Sequence, residues 1–270
     1  MSQKISVLLI AQNAEQHLAR CLDSLKSFDE IIFVDGGSSD KSIEIAKKYP
    51  NVVIYENSWP GFIEQRNYSL SKASHDWCFM IDADEALGEG TAEEIYRVAN
   101  NPNGKALFRI MRTEFYLGVK IESGYGRSNY QERLFLRKRI LYSGGNHHEH
   151  LIDGNTTNES PELIANINSN YRVLHDETYG LTSWVKKLQR FALCVASEKI
   201  EKKGTTNIFI VLLSFPGTFL QIYLKSYRLG KVGFVVAVQT ALYRCLVKLI
   251  VYEHQHIGFD TDNKTSNYLG

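Results

Sequence analysis

The sequence predicts an α/β protein: a Rossmann-like, mostly parallel sheet flanked by helices, with a C-terminal helical extension. Three observations predict it. Over about the first hundred residues, short apolar runs alternate with helical patterns, which implies right-handed βαβ units. Beyond residue 104 the apolar runs shorten and turn residues separate them, as expected of added, partly antiparallel strands. From Leu181 onward the pattern is helical. The expected organisation is one domain over 1–178, in halves 1–104 and 105–178, and a basic amphipathic helical region over 179–270.

The elements follow in order. Ile5 to Ile10 reads as a first strand, and Leu18, Cys21, Leu22 and Leu25 recur at helical spacing, predicting a helix over 14–27. Ile31 to Val34 is a second strand that ends at Asp35 and runs into the turn Gly36-Gly37-Ser38-Ser39. A helix over 40–48 follows, with Asp40 as N-cap. Val52 to Tyr55 is a third strand, 61–73 a third helix, and Asp76 to Ile81 a buried fourth strand. Ala106 to Met111 and Arg133 to Leu136 are further strands. In the C-terminal region, Trp184, Leu188, Phe191 and Val195 share one stripe while Lys186, Lys187 and Arg190 lie elsewhere, predicting an amphipathic helix with a basic face.

The bulk properties narrow the setting. The chain has 270 residues, enough for one large domain or a domain with an appendage, and its net charge of +1 points to no partner. No nucleic-acid partner is expected. Between Lys186 and Lys248, however, eleven Lys or Arg stand against two acids, so that segment is about +9 and the remainder about −8. This asymmetry predicts an acidic body and a basic C-terminal part that meets an anionic surface. The four cysteines form no C-x-x-C pair and read as reduced thiols of a cytoplasmic protein, and no secretory signal is visible. The run 204–224 carries no charge and is about long enough to cross a bilayer, but Asn207, Ser214, Pro216, Gly217 and Gln221 interrupt it. A peripheral membrane contact is the expectation, with a buried core helix as the alternative.

Asp82-Ala83-Asp84-Glu85 follows directly on the fourth strand. Positions two apart on extended chain project to one side, so Asp82 and Asp84 are expected to converge beyond the carboxyl end of the sheet, where open α/β sheets bind ligands. Converging carboxylates suit a hard divalent cation, Mg²⁺ or Mn²⁺, that itself holds a diphosphate. The alternative is a solvated acidic turn. Asp35, followed by two glycines, can accept from a base N–H or a ribose hydroxyl, or simply close a strand-to-helix turn. Arg66 can grip phosphate oxygens, hold a carboxylate in place, or sit on a helix surface. His147-His148-Glu149-His150 is the densest titratable cluster; Glu149 is a candidate general base, and an exposed polar loop the alternative. His175 is a candidate Mn²⁺ ligand or a structural histidine. Neither G-x-G-x-x-G nor H-E-x-x-H occurs at these places, which disfavours nicotinamide and zincin chemistry.

Together these residues resemble family 2 glycosyltransferases of the GT-A fold: Ala11-Gln12-Asn13-Ala14-Glu15, then Val34-Asp35-Gly36-Gly37-Ser38-Ser39-Asp40, Arg66-Asn67 and Asp82-Ala83-Asp84-Glu85, in that order. The middle of the chain is similar to bacterial lipopolysaccharide inner-core β-1,4-glucosyltransferases, in which Arg133-Leu134-Phe135 precedes a His-Glu pair, here His148-Glu149, then His175 and a basic helix with Lys187. One departure is Arg228 to Phe234, which lacks the Asp-Gly expected before Gly-Phe.

The resemblance implies an inverting UDP-hexose transferase, with a nucleotide-sugar half over 1–104 and an acceptor half over 105–178. Ala11, Asn13, Glu15, Asp35, Gly36, Arg66 and Asp82 would bind the nucleotide sugar, with Asp35 on uracil or ribose. Asp84 and His175 would ligate Mg²⁺ or Mn²⁺, and Glu149 would be the base, with Glu85 and Asp153 as competitors. The implied partners are a UDP-sugar donor, a lipid-linked core oligosaccharide acceptor and the inner-leaflet surface, with the enzyme peripheral on the cytoplasmic face of the inner membrane. The alternatives are transfer to a polyprenyl phosphate or another cell-surface glycan, and a non-catalytic nucleotide-sugar-binding module, which would bind UDP-glucose without turnover. A nucleotidyltransferase would need a Gly-rich, basic triphosphate loop that this N-terminus lacks.

Overall fold

The computed structural model describes residues 3–116, 118–121, 129–145, 148–153, 161–177 and 181–257. They divide into two units, residues 1–115 with 128–176 and residues 116–127 with 177–270. The first unit is built on β1 (Ile5–Ala11), whose residues are all buried. β2 (Glu30–Asp35) and β4 (Trp77–Asp82) flank it in parallel, and β3 (Val52–Glu56) extends the sheet beyond β2. β1, β2 and β4 are apolar on both faces because both faces are covered, whereas β3 lies at the edge with Val53 exposed. Val7, Leu9, Phe33 and Phe79 pack with Leu18 and Leu22 of α1 (Leu18–Asp23) and with Ile95 and Val98 of α4 (Thr91–Asn100). Their neighbours Leu8, Ile10, Ile32 and Met80 pack with Leu70 of α3 (Phe62–Lys72).

Beyond β4 the sheet turns antiparallel. β8 (Asn129–Leu136) pairs with β4 and with β6 (Leu107–Tyr116), and β12 (Arg172–Glu177) pairs with β5 (Glu85–Leu87). β11 (Ile164–Asn166) runs parallel to β6, while β9 (Ile140–Gly145) and β10 (His148–Asp153) pair with each other. The resulting strand order is β3-β2-β1-β4-β8-β6-β12-β5. This is the mixed, mostly parallel sheet that the sequence predicts.

Three local expectations are corrected. The first helix begins at Leu18 rather than residue 14, because the Glu15 N–H donates to Asp40 Oδ2 (3.0 Å) and holds 14–17 in a loop. In α2 (Ser42–Ala46) the N-cap is Lys41, although Asp40 Oδ1 still accepts from the Ser42 N–H at 2.9 Å. Asp82 closes β4, but Ala83 and Asp84 form a turn into β5, so the pair does not share an extended segment.

The second unit contains the short strand β7 (Val119–Lys120) and three helices, α5 (Leu181–Glu201), α6 (Ile208–Ser226) and α7 (Lys231–Ile257). Asn207 caps α6 by accepting from the Ile210 N–H at 2.9 Å. α5 meets α7 through Ala192 and Ala196 against Val247 and Val251, while Phe191, expected on the apolar stripe, is 42% exposed. Small residues let the two helices approach, so the alanines rather than the aromatic form the seam.

Glu30 ties three strands at the amino-terminal end of the sheet. It accepts from Ser6 Oγ (2.5 Å) on β1 and from Ser74 N (3.0 Å) and Oγ (2.6 Å) just before β4. Burial pushes its carboxyl up, but these hydrogen bonds outweigh that and hold it below its usual 4.5. A depressed value stabilises the fold above the unfolded pKa, and that contribution is lost as pH falls through the folded one. Glu30→Gln should therefore cost about 1 kcal/mol at neutral pH. The difference from wild type should fade below pH 4.5 in urea titrations at several pH values.

Candidate active site at the carboxyl ends of the strands

β1, β2 and β4 are parallel, so the loops that leave them lie along one edge. Ala11 ends β1 opposite Asp35, and its carbonyl accepts from the Gly36 N–H at 2.8 Å. Asp35 is buried, and it folds its own turn by accepting from the N–H groups of Gly37 (2.9 Å) and Ser38 (2.7 Å) and from Ser38 Oγ (2.5 Å). Both glycines are required. A Cβ on Gly36 would lie 2.7 Å from the Trp59 ring, and Gly37 has φ +92°. Asn13, itself at φ 54°, accepts from the Ser39 N–H (2.9 Å), and Glu15 accepts from the Lys41 N–H (3.2 Å). Side chains expected to meet a nucleotide thus also lace the β1 and β2 loops into one frame.

At the end of β4 a chain of charges runs across five strands. Arg66, buried on α3, donates from Nη2 to Asp82 Oδ1 at 3.0 Å. Of the readings open to it, the structure shows the one in which it holds a carboxylate. Arg133, 2% exposed on β8, places Nη1 3.4 Å from Asp82 Oδ2 and Nη2 2.7 Å from Glu85 Oε1. Glu85 also accepts from the Asp82 N–H (3.0 Å) and from Arg112 Nη1 (3.4 Å). Arg112 Nε donates to Glu114 Oε1 at 2.5 Å, and Glu114 Oε2 lies 2.5 Å from His175 Nδ1. His175 Nε2 then faces Asp84 Oδ2 at 3.3 Å.

The electrostatics follow from these contacts. Burial raises the Asp82 carboxyl, but Arg66 and Arg133 outweigh it and leave Asp82 below the usual carboxylate range. Burial likewise raises Glu114, and His175 and Arg112 bring it down. Glu85 ends above its usual value because burial dominates over Arg133. Burial lowers His175, but its contacts with Asp84 and Glu114 outweigh that and push it up to about 9.

Two donors here could hold a divalent cation. Asp84 Oδ2 and His175 Nε2 are a carboxylate oxygen and an imidazole nitrogen on one spot, and Glu114 fixes the ring through its other nitrogen. Among the described residues, no group of three His, Cys, Asp or Glu forms a complete cage. The remaining positions would fall to diphosphate oxygens and water, as is usual for Mg²⁺.

The base candidates separate. Glu85 is 1% exposed and bound by two arginines, so it cannot take a proton from a substrate. Glu149 lies on β10 opposite Gly144, and Asp153 opposite Ile140; both side chains lie outside the described residues. Sequence reasoning gave no role to Arg112, Glu114 or Arg133. Arg112 and Glu114 are two apart on a strand and hence on one face, and Arg133 opens the apolar run of β8; those were the available signals.

Arg133→Met would leave Glu85 buried with only the longer Arg112 contact, and should destabilise the fold by about 3–5 kcal/mol. Adding Glu85→Gln should recover part of that loss. Urea unfolding of both variants measures it, and an undiminished loss in the double variant would show that the two groups are not coupled.

A family model described as "Glycosyl transferase family 2" matches residues 6–148. The chain is 27% identical over 263 residues to the lipopolysaccharide core biosynthesis glycosyltransferase LpsC of Rhizobium meliloti (strain 1021), covering 92% of each. It is 32% identical over 139 residues to the uncharacterized glycosyltransferase RT0209 of Rickettsia typhi, covering 50% of this chain and 47% of that one. Among solved structures, S. aureus TarS 1-349 in complex with UDP-GlcNAc superimposes with a TM-score of 0.46 at 16% identity, over 66% of this chain and 59% of that one. The match across 6–148 takes in both laced loops, Arg66, the Asp82–Glu85 turn and the arginines behind it, and by it the chain belongs to glycosyl transferase family 2.

Proposed function

We propose that the chain is a metal-dependent, inverting glucosyltransferase that moves glucose from UDP-glucose onto a heptose of a lipid-linked lipopolysaccharide inner core. In this reading residues 1–104 take the nucleotide sugar, residues 105–178 take the acceptor, and residues 179–270 bring the enzyme to the cytoplasmic face of the inner membrane. The observation that carries it is the Asp84–His175 pair, 3.3 Å apart just beyond β4 and braced from behind by Glu114. The acceptor class is supported by the likeness to a lipopolysaccharide core transferase along 92% of each chain.

In the proposed reaction Ala11, Asn13, Glu15, Asp35 and Gly36 receive the nucleoside, and Asp82, fixed by Arg66 and Arg133, bounds the ribose side. Arg66 then acts on the nucleotide through Asp82. Asp84 and His175 would hold Mg²⁺ or Mn²⁺, which supplies charge stabilisation to the departing diphosphate. Glu149 takes the proton from the acceptor hydroxyl as that oxygen bonds to the anomeric carbon and the bond from that carbon to the diphosphate oxygen breaks. A polyprenyl phosphate acceptor is the second reading, favoured by two helices, Ile208–Leu229 and Lys231–His256, that are long and apolar enough to cross a membrane.

Asp84→Ala should abolish metal-dependent transfer while circular dichroism and Tm stay near wild type; full activity would remove the metal assignment. Glu149→Gln should lower kcat by about 100-fold or more with little change in the KM for UDP-glucose. A panel of UDP-sugars against lipid-linked core oligosaccharides and polyprenyl phosphate, with the product linkage read by NMR, decides donor and acceptor. Binding of UDP-glucose with no turnover on any acceptor, and no slow hydrolysis, would leave only a sugar-nucleotide-binding module.

A further inference from the structure

The hairpin of α6 and α7 is packed inside out. Its two helices run antiparallel, with Ser226 Oγ donating to the Gly233 carbonyl (3.1 Å) at the turn and the Thr206 N–H donating to Gln255 Oε1 (3.0 Å) at the open end. The α6 residues buried in the hairpin are Val211, Ser214, Thr218, Ile222 and Ser226, and α7 buries Val236, Ala237, Thr240 and Ala241, with Ile222, Val236 and Ala237 in one apolar cluster. The opposite face of α6 shows Phe209 (72% exposed), Leu212 (64%), Leu213 (68%), Leu220 (56%) and Leu224 (63%). A water-facing hairpin places leucine inside and hydroxyls outside.

Inward small and hydroxylated residues with outward leucines are the arrangement that lipid favours. Three of the inward hydroxyls bond to carbonyls of their own helix. Ser214 donates to the Val211 carbonyl (2.9 Å), Ser226 to that of Ile222 (2.9 Å) and Thr240 to that of Val236 (2.8 Å). The approach at the turn is close, since a Cβ on Gly233 would overlap the Ser226 carbonyl.

The charges identify the occupant. No Asp or Glu occurs from Lys202 to Tyr252, a segment with seven Lys or Arg. Lys225, Arg228 and Lys231 gather at the turn, and Lys199, Lys202 and Lys203 precede α6 at the open end. An apolar stripe with cations at both ends complements an anionic leaflet, leucines among the acyl chains and cations on lipid phosphates. At the open end Glu198 pairs with Lys202 (2.5 Å), whereas no Asp or Glu occurs in the sequence around the turn, so a second copy would have to bring an acid there while an anionic leaflet supplies phosphates directly. A hairpin that crossed the bilayer would carry its basic turn to the far side, against the usual retention of cations in the cytoplasm.

We propose that the α6–α7 hairpin is a monotopic membrane anchor, its Phe209–Leu224 stripe embedded in one leaflet of an anionic membrane and both basic ends at headgroup level. This deepens the membrane contact of the reading above, and its test does not depend on which sugar is transferred.

The test uses the full chain floated with vesicles of phosphatidylcholine alone or with added phosphatidylglycerol. Wild type should bind the anionic vesicles and stay bound when salt is raised to screen surface charge. Leu213→Glu with Leu220→Glu should lower the bound fraction at least ten-fold with an unchanged circular dichroism spectrum. Replacing Lys225, Arg228 and Lys231 by Gln should remove the preference for anionic vesicles. Phe209→Trp, which leaves the fold unburdened, should add a tryptophan signal that brominated acyl chains quench. The proposal is overturned if salt releases the wild type, if the double Glu variant binds as before, or if the Phe209→Trp signal is not quenched. A wild-type dimer that the double Glu variant converts to monomer, with vesicle binding intact, would also overturn it and make the stripe a protein interface.

Discussion

The buried pair of Arg133 and Glu85 is the constraint on which the end of the sheet depends. A charge in that position, stripped of water, is tolerable only beside its opposite. The pair therefore fixes the spacing of β8 against the β4–β5 turn, and the rest of the network is built outward from it. Arg133 reaches Asp82, which Arg66 holds from the other side, and Glu85 accepts the Asp82 N–H and so folds the turn that presents Asp84. Arg112 extends the chain to Glu114, and Glu114 sets the ring of His175.

The arrangement sorts its acids by task. Glu85 is enclosed and braces the fold. Asp82 is held ionised by two guanidinium groups at the margin of solvent. Asp84, with 22% of its side chain exposed, meets His175 at the open end. Three arginines and four carboxylates thus alternate along the network, and His175 ends it between Glu114 and Asp84.

The helical unit distributes its apolar residues differently. In the first unit, covered strands read as unbroken apolar runs and bury both faces. In the hairpin, the leucines of α6 turn outward, and the helices close over Ser, Thr and Ala together with Val211, Ile222 and Val236. The two units differ in which face meets a neighbour. That choice is also why the expected stripe on α5 failed at Phe191, where Ala192 and Ala196 make the contact.

The amino-acid sequence by itself determined the alternation of strands and helices, the parallel sense of β1, β2 and β4, and the positions of Asp35, Arg66, Asp82 and Asp84 at strand ends or before them. Those features are local: apolar periodicity sets an element, and a polar residue at its end marks its exit. Tertiary structure alone decided that Asp82 and Asp84 part at a turn, that Arg66 holds a carboxylate, and that Arg112, Glu114 and Arg133 belong to the site. Arg112–Glu85, Arg133–Glu85 and Glu114–His175 join residues 27, 48 and 61 positions apart. Pairing at that range leaves no periodic trace in sequence, because it is set by which strands become neighbours, and only folding makes them so.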